Sequence, residues 1–264
     1  MRVLFIGDIV GKPGRAAVRH LLPVLNDRLK LDAVVANAEN AAGGFGLTRK
    51  VVDELLGMGV HVLTTGNHVW DKREAVGFVD AELPIVRPAN YAPSVPGRGV
   101  HRLALGEGRS LWVVNLQGKI LMPPVDCPFR EVDRILAKLP PDERCILVDM
   151  HAEATSEKRA MGFYLNGRAS VVVGTHTHVP TADAEVLTGG TGYLTDAGMT
   201  GPYRSVIGME VSDSMDRILT GMPRILNVAK EDARLAGLFA DIDDATGRCL
   251  GVEQVIERMP KQHS

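Results

Sequence analysis

Five short apolar runs of this chain each end in side chains of the kinds that bind metal ions. In the first half of the chain these runs alternate with segments of helical spacing, which predicts a largely parallel sheet. The carboxyl ends of the strands in an open α/β sheet meet at one crevice. The segments that follow the five runs are Asp8, Glu39-Asn40, Asn67-His68, His151 and His176-Thr177-His178. We therefore expect these side chains to surround one site.

The apolar periodicity predicts where strands and helices lie along the chain. Buried strands are predicted at residues 3–6, 33–36, 60–64, 145–150 and 169–174. Helices are predicted at residues 14–28, 49–58, 72–79, 129–139 and 156–165. A hairpin is predicted across residues 99–116, with its turn at Gly106-Glu107-Gly108. Further strand signals are found at residues 224–228, 235–242 and 247–255.

The composition does not divide the chain into separate units. The 264 residues contain no internal repeat, no low-complexity segment and no shift in composition that would mark a boundary. A compact chain of this length buries roughly 70–75% of its unfolded surface, which is enough for a sizeable core. We therefore expect residues 1–264 to form a single domain, with two stacked sheets and helices outside them.

The charge of the chain is nearly balanced, with 30 Lys and Arg, 32 Asp and Glu, and a formal net charge of −2. No basic excess favours duplex nucleic acid, and no tract of Lys and Arg favours an anionic membrane. No run approaches the ~18 apolar residues of a membrane span, and the apolar start is too short for a signal peptide. We expect a soluble, cytoplasmic protein that acts on a small molecule.

The three cysteines do not form a recognisable framework. Cys127, Cys145 and Cys249 are odd in number and widely spaced, and no CxxC motif occurs. Neither a zinc knuckle nor a set of disulfides is therefore predicted. Cys145 opens an apolar run and is expected in the core, as a reduced thiol of the cytosol.

The predicted site offers oxygen and imidazole ligands but no thiolate. Imidazole suits zinc, iron, manganese, cobalt or nickel, whereas carboxylate and amide oxygens suit manganese, iron and magnesium. Three imidazoles argue against Ca²⁺ and against Mg²⁺ alone, and the lack of cysteine argues against structural zinc. Because seven or eight such ligands are too many for one ion, we expect a two-metal hydrolytic centre.

The charges of such a centre suit a phosphate substrate. Two divalent ions carry +4, from which Asp8 and Glu39 subtract two and a bridging hydroxide subtracts one, leaving about +1. Ions roughly 3.5–4 Å apart need a shared ligand, for which Glu39 is the natural candidate. His68 follows Asn67 in the same crevice and could protonate a departing alkoxide. Ordinary core or surface positions are expected for the other histidines, His20, His61, His101 and His263.

The ordered motifs resemble those of the calcineurin-like metallophosphoesterases, which run D-x-H, G-D-x-x-D, G-N-H-[ED], a later H, and G-H-x-H. The corresponding segments here are Gly7-Asp8-Ile9-Val10, Asn37-Ala38-Glu39-Asn40, Gly66-Asn67-His68-Val69, Met150-His151 and Gly174-Thr175-His176-Thr177-His178. Val10, Glu39 and Val69 depart from that pattern, and the departures resemble the YmdB-like branch, the bacterial 2',3'-cyclic nucleotide phosphodiesterases. Further segments that resemble this branch are residues 4–15, 115–118, 174–183 and 195–201.

The resemblance implies a role for each residue of the predicted site. It assigns the first metal ion to Asp8, Asn40 and His178, and the second to Asn67, His151 and His176. It makes Glu39 the bridging ligand and His68 the general acid. Val69 stands where the wider family often has an acid that orients this histidine. Asp71 is predicted to be a helix N-cap, with the orientation of His68 as the alternative role.

The resemblance also implies the fold, the metals and the assembly. It implies an α/β fold, namely a four-layer α-β-β-α sandwich of two mixed sheets, as in metallophosphoesterases. Two divalent transition-metal ions are expected, iron or manganese in the first place and zinc as a further option. No organic cofactor is predicted, and a homo-oligomer is expected from the resemblance alone.

The motif chemistry predicts phosphoester hydrolysis, and the resemblance implies 2',3'-cyclic nucleotides or related phosphodiesters as substrates. The segment Gly43-Gly44-Phe45-Gly46 could contact a phosphate and stack on a base, or it could be an ordinary turn. The same site would also suit a phosphomonoesterase of nucleotides or phosphoproteins, with Lys119 and Arg204 as extra cationic groups. A regulatory protein that binds metal and nucleotide without turnover is a further alternative.

Overall fold

The structure is a computed structural model that describes residues 1–79 and 83–260. His263, one of the four histidines without a predicted role, lies outside the described residues. Within these ranges the strands are, in chain order, β1 (Arg2–Ile6), β2 (Asp8–Ile9), β3 (Ala33–Asn37), β4 (Val62–Thr64), β5 (Ile85–Val86), β6 (Val100–Gly106), β7 (Arg109–Gln117), β8 (Ile146–His151), β9 (Val171–Thr175), β10 (Glu185–Val186), β11 (Gly192–Leu194), β12 (Met199–Pro202), β13 (Ala233–Ile242) and β14 (Cys249–Arg258).

The helices lie mainly between the strands of the parallel parts of the sheets. They are α1 (Gly11–Leu29), α2 (Arg49–Gly57), α3 (Pro128–Leu136), α4 (Thr155–Tyr164) and α5 (Val211–Thr220), with a short 3-10 helix at Arg73–Gly77. No helix in the described ranges is both long enough and apolar enough to cross a membrane.

The first sheet has eight strands and is mixed. Its order is β2-β12-β13-β1-β3-β4-β5, and β14 pairs with β13. Strands β1, β3, β4 and β5 are parallel, whereas β13 runs antiparallel to β1. Helices α1 and α2 provide the crossovers that parallel neighbours require. The carboxyl ends of β1, β3 and β4 therefore lie at one edge, where Asp8, Glu39 and Asn67 follow them.

The second sheet has six strands in the order β10-β11-β9-β8-β7-β6. Strands β7, β8, β9 and β11 are parallel, with α3 and α4 in the crossovers, whereas β6 and β10 are antiparallel to their neighbours. The predicted hairpin corresponds to β6 and β7. His151 at the end of β8 is in register with Thr175 at the end of β9, so these two strands end side by side.

The alternation of side chains on β1 shows how the layers stack. Leu4 and Ile6 pack in an apolar cluster with residues of α1 and α2. Val3 and Phe5 point the other way, into a cluster that includes Val113 of β7 in the second sheet. A third cluster joins the outer face of β7 and β8 to α3 and α4. The predicted four-layer α-β-β-α sandwich of two mixed sheets is confirmed.

Some predicted elements are wrong. The region 72–79 contains only the 3-10 helix Arg73–Gly77. Residues 224–228 form no strand, and only Val228 makes an isolated bridge, to Met209. Their apolar side chains suggested a buried strand, but Ile225 is 84% exposed. Helix α5 is not predicted because its buried residues are Asp213 and Ser214 rather than an apolar stripe.

Cys145 lies in the core, as predicted. Cys127, Cys145 and Cys249 are all free, and the last two are buried. Burial raises the pKa of the Cys145 and Cys249 thiols to about 11. Both groups are therefore neutral at physiological pH.

Candidate metal centre

The predicted site residues come together where the two sheets present their strand ends side by side. Contacts of 2.9–3.8 Å link all eight into one continuous group. The first sheet supplies Asp8, Glu39, Asn40, Asn67 and His68, and the second sheet supplies His151, His176 and His178. Strand-end residues that are scattered along the sequence therefore meet at one crevice in the folded chain.

One part of the group, which we call the first lobe, consists of Asp8, Asn40 and His178. Nε2 of His178 lies 3.8 Å from Oδ1 of Asp8 and 3.1 Å from Nδ2 of Asn40. Oδ1 of Asp8 and Oδ1 of Asn40 are buried and have no hydrogen-bond partner among the described residues. A buried oxygen without a partner is unfavourable. Two such oxygens beside an imidazole are what a bound cation would satisfy.

The other part, the second lobe, consists of Asn67, His151 and His176. Nε2 of His151 lies 3.0 Å from Oδ1 of Asn67 and 3.1 Å from Nδ1 of His176. Glu39 approaches the same atom, with Oε1 3.1 Å from Nε2 of His151. One ligand atom each from Glu39, His151 and His176 lies within 4.8 Å of the others. Oxygen and imidazole acceptors thus converge on one point.

Glu39 lies between the two lobes. Its Oε1 contacts His151 of the second lobe and accepts a 3.4 Å hydrogen bond from Nδ2 of Asn40 in the first. Its Oε2 accepts a 2.9 Å hydrogen bond from the main-chain N–H of His68. The side chain is completely buried. This position, in contact with both lobes, is the one that a bridging carboxylate requires.

Each imidazole of the lobes has an outer partner on the nitrogen that faces away. Nδ1 of His151 lies 2.9 Å from Oγ1 of Thr175, and Nδ1 of His178 lies 2.8 Å from the carbonyl of Ile207. Nε2 of His176 lies 3.2 Å from a carboxylate oxygen of Glu153. When the outer nitrogen donates its proton, the inner nitrogen keeps a lone pair for a metal ion.

The electrostatics of the group favour positive charge at its centre. Burial alone would lower the pKa of His151, but the charges of Glu39 and Asp8 raise it to about 9. Burial would raise the pKa of Glu39, but the charge and hydrogen bond of His151 lower it to about 2. Burial and then the charge of His151 lower the pKa of His176 to about 3. A divalent ion would supply the same positive charge, so the donor set fits a metal centre.

His68 stands beside the lobes rather than within them. Its Nδ1 lies 2.8 Å from Oδ2 of Asp71, and its ring centroid lies 5.1 Å from that of Phe45. The prediction of Asp71 as a helix N-cap is wrong, because Lys72 occupies the N-cap of the 3-10 helix and no side chain caps it. The alternative role of Asp71 was to orient His68, which the apolar side chain of Val69 cannot do. The contact between Asp71 and His68 agrees with that role.

Sequence reasoning missed the buried residues that support the two lobes. Oγ1 of Thr175 donates to Asp149 at 2.6 Å, and Oγ1 of Thr64 donates to the same carboxylate at 2.5 Å. Asn37 donates to Asp149 across the two sheets at 3.1 Å. The signal available in the sequence was an aspartate inside the apolar run 145–150. A charged residue in a buried strand usually has a specific partner.

Gly66 illustrates how closely the backbone approaches the second lobe. A Cβ atom at this position would lie 2.3 Å from Nε2 of His151, so no other residue fits without displacing the imidazole. The hydroxyl of Tyr91 lies 3.2 Å from the carbonyl of Gly66 and 2.9 Å from Oε1 of Gln117. The motif at residues 115–118 therefore supports the turn that carries Asn67.

A cavity of about 450 Å³ opens above the two lobes. Its floor includes Glu39, Asn40, His176 and His178, together with the ring of His68. Its opposite wall is mostly apolar, with Ser214 and Arg217 as its polar side chains, and the residues of this wall are Phe45, Val206, Ile207, Met209, Ser214, Arg217, Ile218 and Leu226. A larger groove of about 1340 Å³ shares Leu226 with this wall and is lined by Gly43 and Arg204, but by no residue of the two lobes and by neither Glu39 nor His68. The smaller cavity is therefore the candidate substrate site.

The two mixed sheets and the outer helices, with carboxylate, amide and imidazole side chains gathered at the strand ends, define a metallophosphoesterase-like fold. The model of the YmdB-like protein family matches residues 4–255, and the chain belongs to that family.

Three relatives show how far the similarity extends. A 2',3'-cyclic-nucleotide 2'-phosphodiesterase of Bacillus subtilis is 45% identical over 97% of this chain and 97% of its own. The crystal structure of a hypothetical protein from Thermus thermophilus superposes with a TM-score of 0.92, at 46% identity, over 98% of this chain and all of that one. A Mycoplasma pneumoniae structure described as a novel phosphatase has a TM-score of 0.92, at 32% identity, over 98% and 93%.

Proposed function

We propose that this protein is a metal-dependent phosphodiesterase that hydrolyses 2',3'-cyclic nucleotides or closely related phosphodiesters. The observation that carries the proposal is the convergence of acceptor atoms from five strand ends, including the unpartnered Oδ1 atoms of Asp8 and Asn40. The name of the Bacillus subtilis relative supports the choice of substrate. The chemistry of the donor set supports hydrolysis rather than transport or structural metal binding.

We propose that the site holds two divalent transition-metal ions, with iron or manganese as the first candidates and zinc as a further one. The first lobe would hold one ion, the second lobe the other, and Glu39 would contact both. When bound, two such ions supply positive charge to a phosphate and lower the pKa of coordinated water. The mixture of three imidazoles with carboxylate and amide oxygens suits these metals better than calcium.

We propose His68 as the general acid. Asp71 occupies its Nδ1 at 2.8 Å, which leaves Nε2 as the nitrogen that can face a substrate in the cavity that His68 lines. Hydrolysis adds the oxygen of water to phosphorus and breaks one P–O bond to the ribose. The departing ribose oxygen then takes the proton from Nε2. General acids of this kind contribute ~10²–10⁴-fold to the rate.

The cavity accommodates a nucleotide in one orientation. The phosphate would lie on the floor of ligands, where positive charge is favoured, and the base would lie against the apolar wall. Phe45 is placed to stack on the base, because it lines the cavity beside the ring of His68. Arg217 lines the same wall, and its guanidinium has no partner among the described residues. It is therefore available to contact an anionic substrate.

The proposal is tested on protein purified without chelator and supplied with Mn²⁺. Hydrolysis of the four 2',3'-cyclic nucleotides is compared with that of bis-p-nitrophenyl phosphate and p-nitrophenyl phosphate, and bound metal is measured on the same samples. We expect two metal ions per chain and faster turnover of the diesters. A chelated sample is the control and should be inactive until Mn²⁺ is restored.

A phosphomonoesterase is the second candidate, because the Mycoplasma pneumoniae relative is described as a phosphatase. Lys119 and Arg204, the predicted cationic groups for a monoester, are not among the residues that line the cavity. Arg204 pairs instead with Glu231 at 3.0 Å. Faster turnover of p-nitrophenyl phosphate than of any diester would favour this candidate. Nucleotide binding without turnover in any metal would favour the regulatory alternative.

We also propose that residues 1–264 form one domain, because side chains of both sheets share one apolar cluster. The homo-oligomer and the cytoplasmic location stay predictions. Light scattering of the purified protein measures the first, and cell fractionation measures the second.

A further inference from the structure

The turn that carries His176 and His178 has backbone conformations that residues other than glycine rarely adopt. The φ angle is +99° at His176 and +65° at His178, both in sparsely populated regions for L-residues. Such conformations persist only where surrounding contacts over-determine them. The contacts that fix this turn therefore decide where the two imidazoles point.

A buried ion pair lies next to the turn. Nζ of Lys158, on α4, is 2.6 Å from Oδ2 of Asp196, and both side chains are only 1% exposed. Completely buried lysine and aspartate side chains are rare, and removal of one partner leaves an unpaired charge in the interior. Neither residue is among those that line the cavity above the metal centre. The proposed reaction therefore does not use the pair directly.

Asp196 connects this pair to the residue between the two imidazoles. Its Oδ2 accepts hydrogen bonds from Oγ1 and from the main-chain N–H of Thr177, at 2.7 and 3.2 Å. Its Oδ1 accepts a 2.8 Å hydrogen bond from the N–H of Gly198. One carboxylate thus joins Lys158 of α4, the turn after β9 and the segment between β11 and β12. The motif at residues 195–201 contributes this carboxylate.

We infer that Lys158 and Asp196 are positioning residues of the metal centre, an inference that rests on the proposed function. Asp196 fixes Thr177 through two hydrogen bonds, and Lys158 holds the carboxylate in place. The turn then directs His176 to the second lobe and His178 to the first. Because this one turn serves both lobes, loosening it weakens the binding of both ions while every ligand remains present.

Three variants and a control test the inference. Lys158→Met removes the ammonium group and keeps most of the apolar stem, Asp196→Asn removes the charge with little change in volume, and a third variant combines them. Arg159→Met is the control, because it changes the next residue of α4 and breaks an exposed ion pair with Glu185. Each protein is freed of metal with a chelator and titrated with Mn²⁺ by calorimetry.

The single variants are expected to bind Mn²⁺ about 10- to 100-fold more weakly, the range typical of changes to groups that orient metal ligands. Their kcat on a 2',3'-cyclic nucleotide should recover at saturating Mn²⁺, because no ligand and no general acid has been removed. The double variant should bind Mn²⁺ more tightly than Lys158→Met, since it no longer buries an unpaired carboxylate. The control should bind Mn²⁺ like the wild-type protein.

A second measurement depends neither on metal nor on activity. Hydrogen–deuterium exchange of a peptide covering residues 174–180 reports on the N–H of Thr177, which donates to Asp196. This peptide is expected to exchange about 10-fold faster in Asp196→Asn than in the wild-type protein or the control. A peptide covering helix α2 should exchange at the wild-type rate in every variant.

Wild-type Mn²⁺ affinity together with unchanged exchange in Asp196→Asn would overturn the inference and leave the proposed function intact. Wild-type protein that neither binds Mn²⁺ nor hydrolyses a phosphoester would overturn the proposed function instead. In that case the exchange measurement still decides whether the pair fixes the turn. If Lys158→Met does not fold, Asp196→Asn carries the test, because it keeps the side-chain volume.

Discussion

The floor and the wall of the cavity are built in opposite ways. The floor belongs to the group formed by the two lobes, Glu39 and His68, whose side chains are mostly buried and contact one another, and the imidazoles of the lobes have outer partners that fix them. The wall lies largely on residues 206–226, where Ile218 is 67% exposed and Arg217 has no partner among the described residues. The part of the wall on α5 is therefore open to adjustment by a substrate, whereas Ile207 of the same wall contacts His178 and the floor is fixed before a substrate arrives.

This difference separates the two tasks of an enzyme of the proposed kind. Groups that stabilise a transition state act best when the fold holds them in place, because they then need no rearrangement during the reaction. Groups that select a substrate contribute mainly to its binding. We therefore expect changes in the floor to lower kcat or metal content, and changes in the wall to raise KM.

Glu39→Ala should have the largest effect, because this carboxylate contacts both lobes. We expect loss of bound metal and a fall in activity greater than the ~10²–10⁴-fold that removal of a general acid causes. Metal analysis and turnover of a 2',3'-cyclic nucleotide measure the two effects. Glu257→Ala is the control, because it removes a partly exposed carboxylate that pairs with Arg28. Glu39→Ala protein with two metal ions per chain would contradict the bridging role.

His68→Ala should lower kcat on cyclic nucleotides by ~10²–10⁴-fold while the metal content stays at the wild-type level. The loss should be much smaller on bis-p-nitrophenyl phosphate, because p-nitrophenolate leaves without needing a proton. His20→Ala is the control, since this histidine lies on the exposed side of α1. Release of the ions by His68→Ala would show that His68 is a ligand and not the general acid.

The sequence predicts the parts of the fold that depend on local patterns. The apolar runs that became β1, β3, β8 and β9 are continuous and end in turn residues, and their alternation with helical segments predicts parallel pairing. Strands such as β2, β5 and β10 have only two residues each, which is too short for any periodic signal. The strand prediction at residues 224–228 was wrong because their apolar side chains line a cavity or face solvent, and composition cannot distinguish that from burial in a sheet.

The convergence of the eight site residues is predictable for a different reason, because it follows from strand order and from the turn that ends each strand. The supporting residues are not predictable in this way. The contact between Asn37 and Asp149 joins residues that are 112 positions apart, on different sheets. It depends on how the two sheets are stacked and on the register of β8 with β9. The individual roles of the site residues stay predictions until the variants are measured.

Phe45→Ala tests the apolar wall. We expect KM for 2',3'-cyclic nucleotides to rise roughly 10-fold, because stacking of one base on an aromatic ring contributes ~1–3 kcal/mol. The kcat at saturating substrate should change little, because Phe45 belongs to neither lobe. Phe45→Tyr should restore KM, since it keeps the aromatic face. A fall in kcat that is as large as the rise in KM would mean that Phe45 acts through the ring of His68, which lies 5.1 Å away.

Arg217→Gln should have the smallest effect and is the most specific test of the division between floor and wall. An exposed charge contributes ~0.2–1 kcal/mol to a contact, so KM should rise by no more than about fivefold. The difference should shrink as salt is raised, because salt screens exposed charges. Arg224→Gln is the matched control, because Arg224 lies in the same segment but does not line the cavity and pairs with Asp213 and Asp216. An equal rise in KM for both variants would indicate attraction by net charge alone. A lower kcat for Arg217→Gln would place the wall within the chemistry, and the two sides of the cavity would no longer have separate tasks.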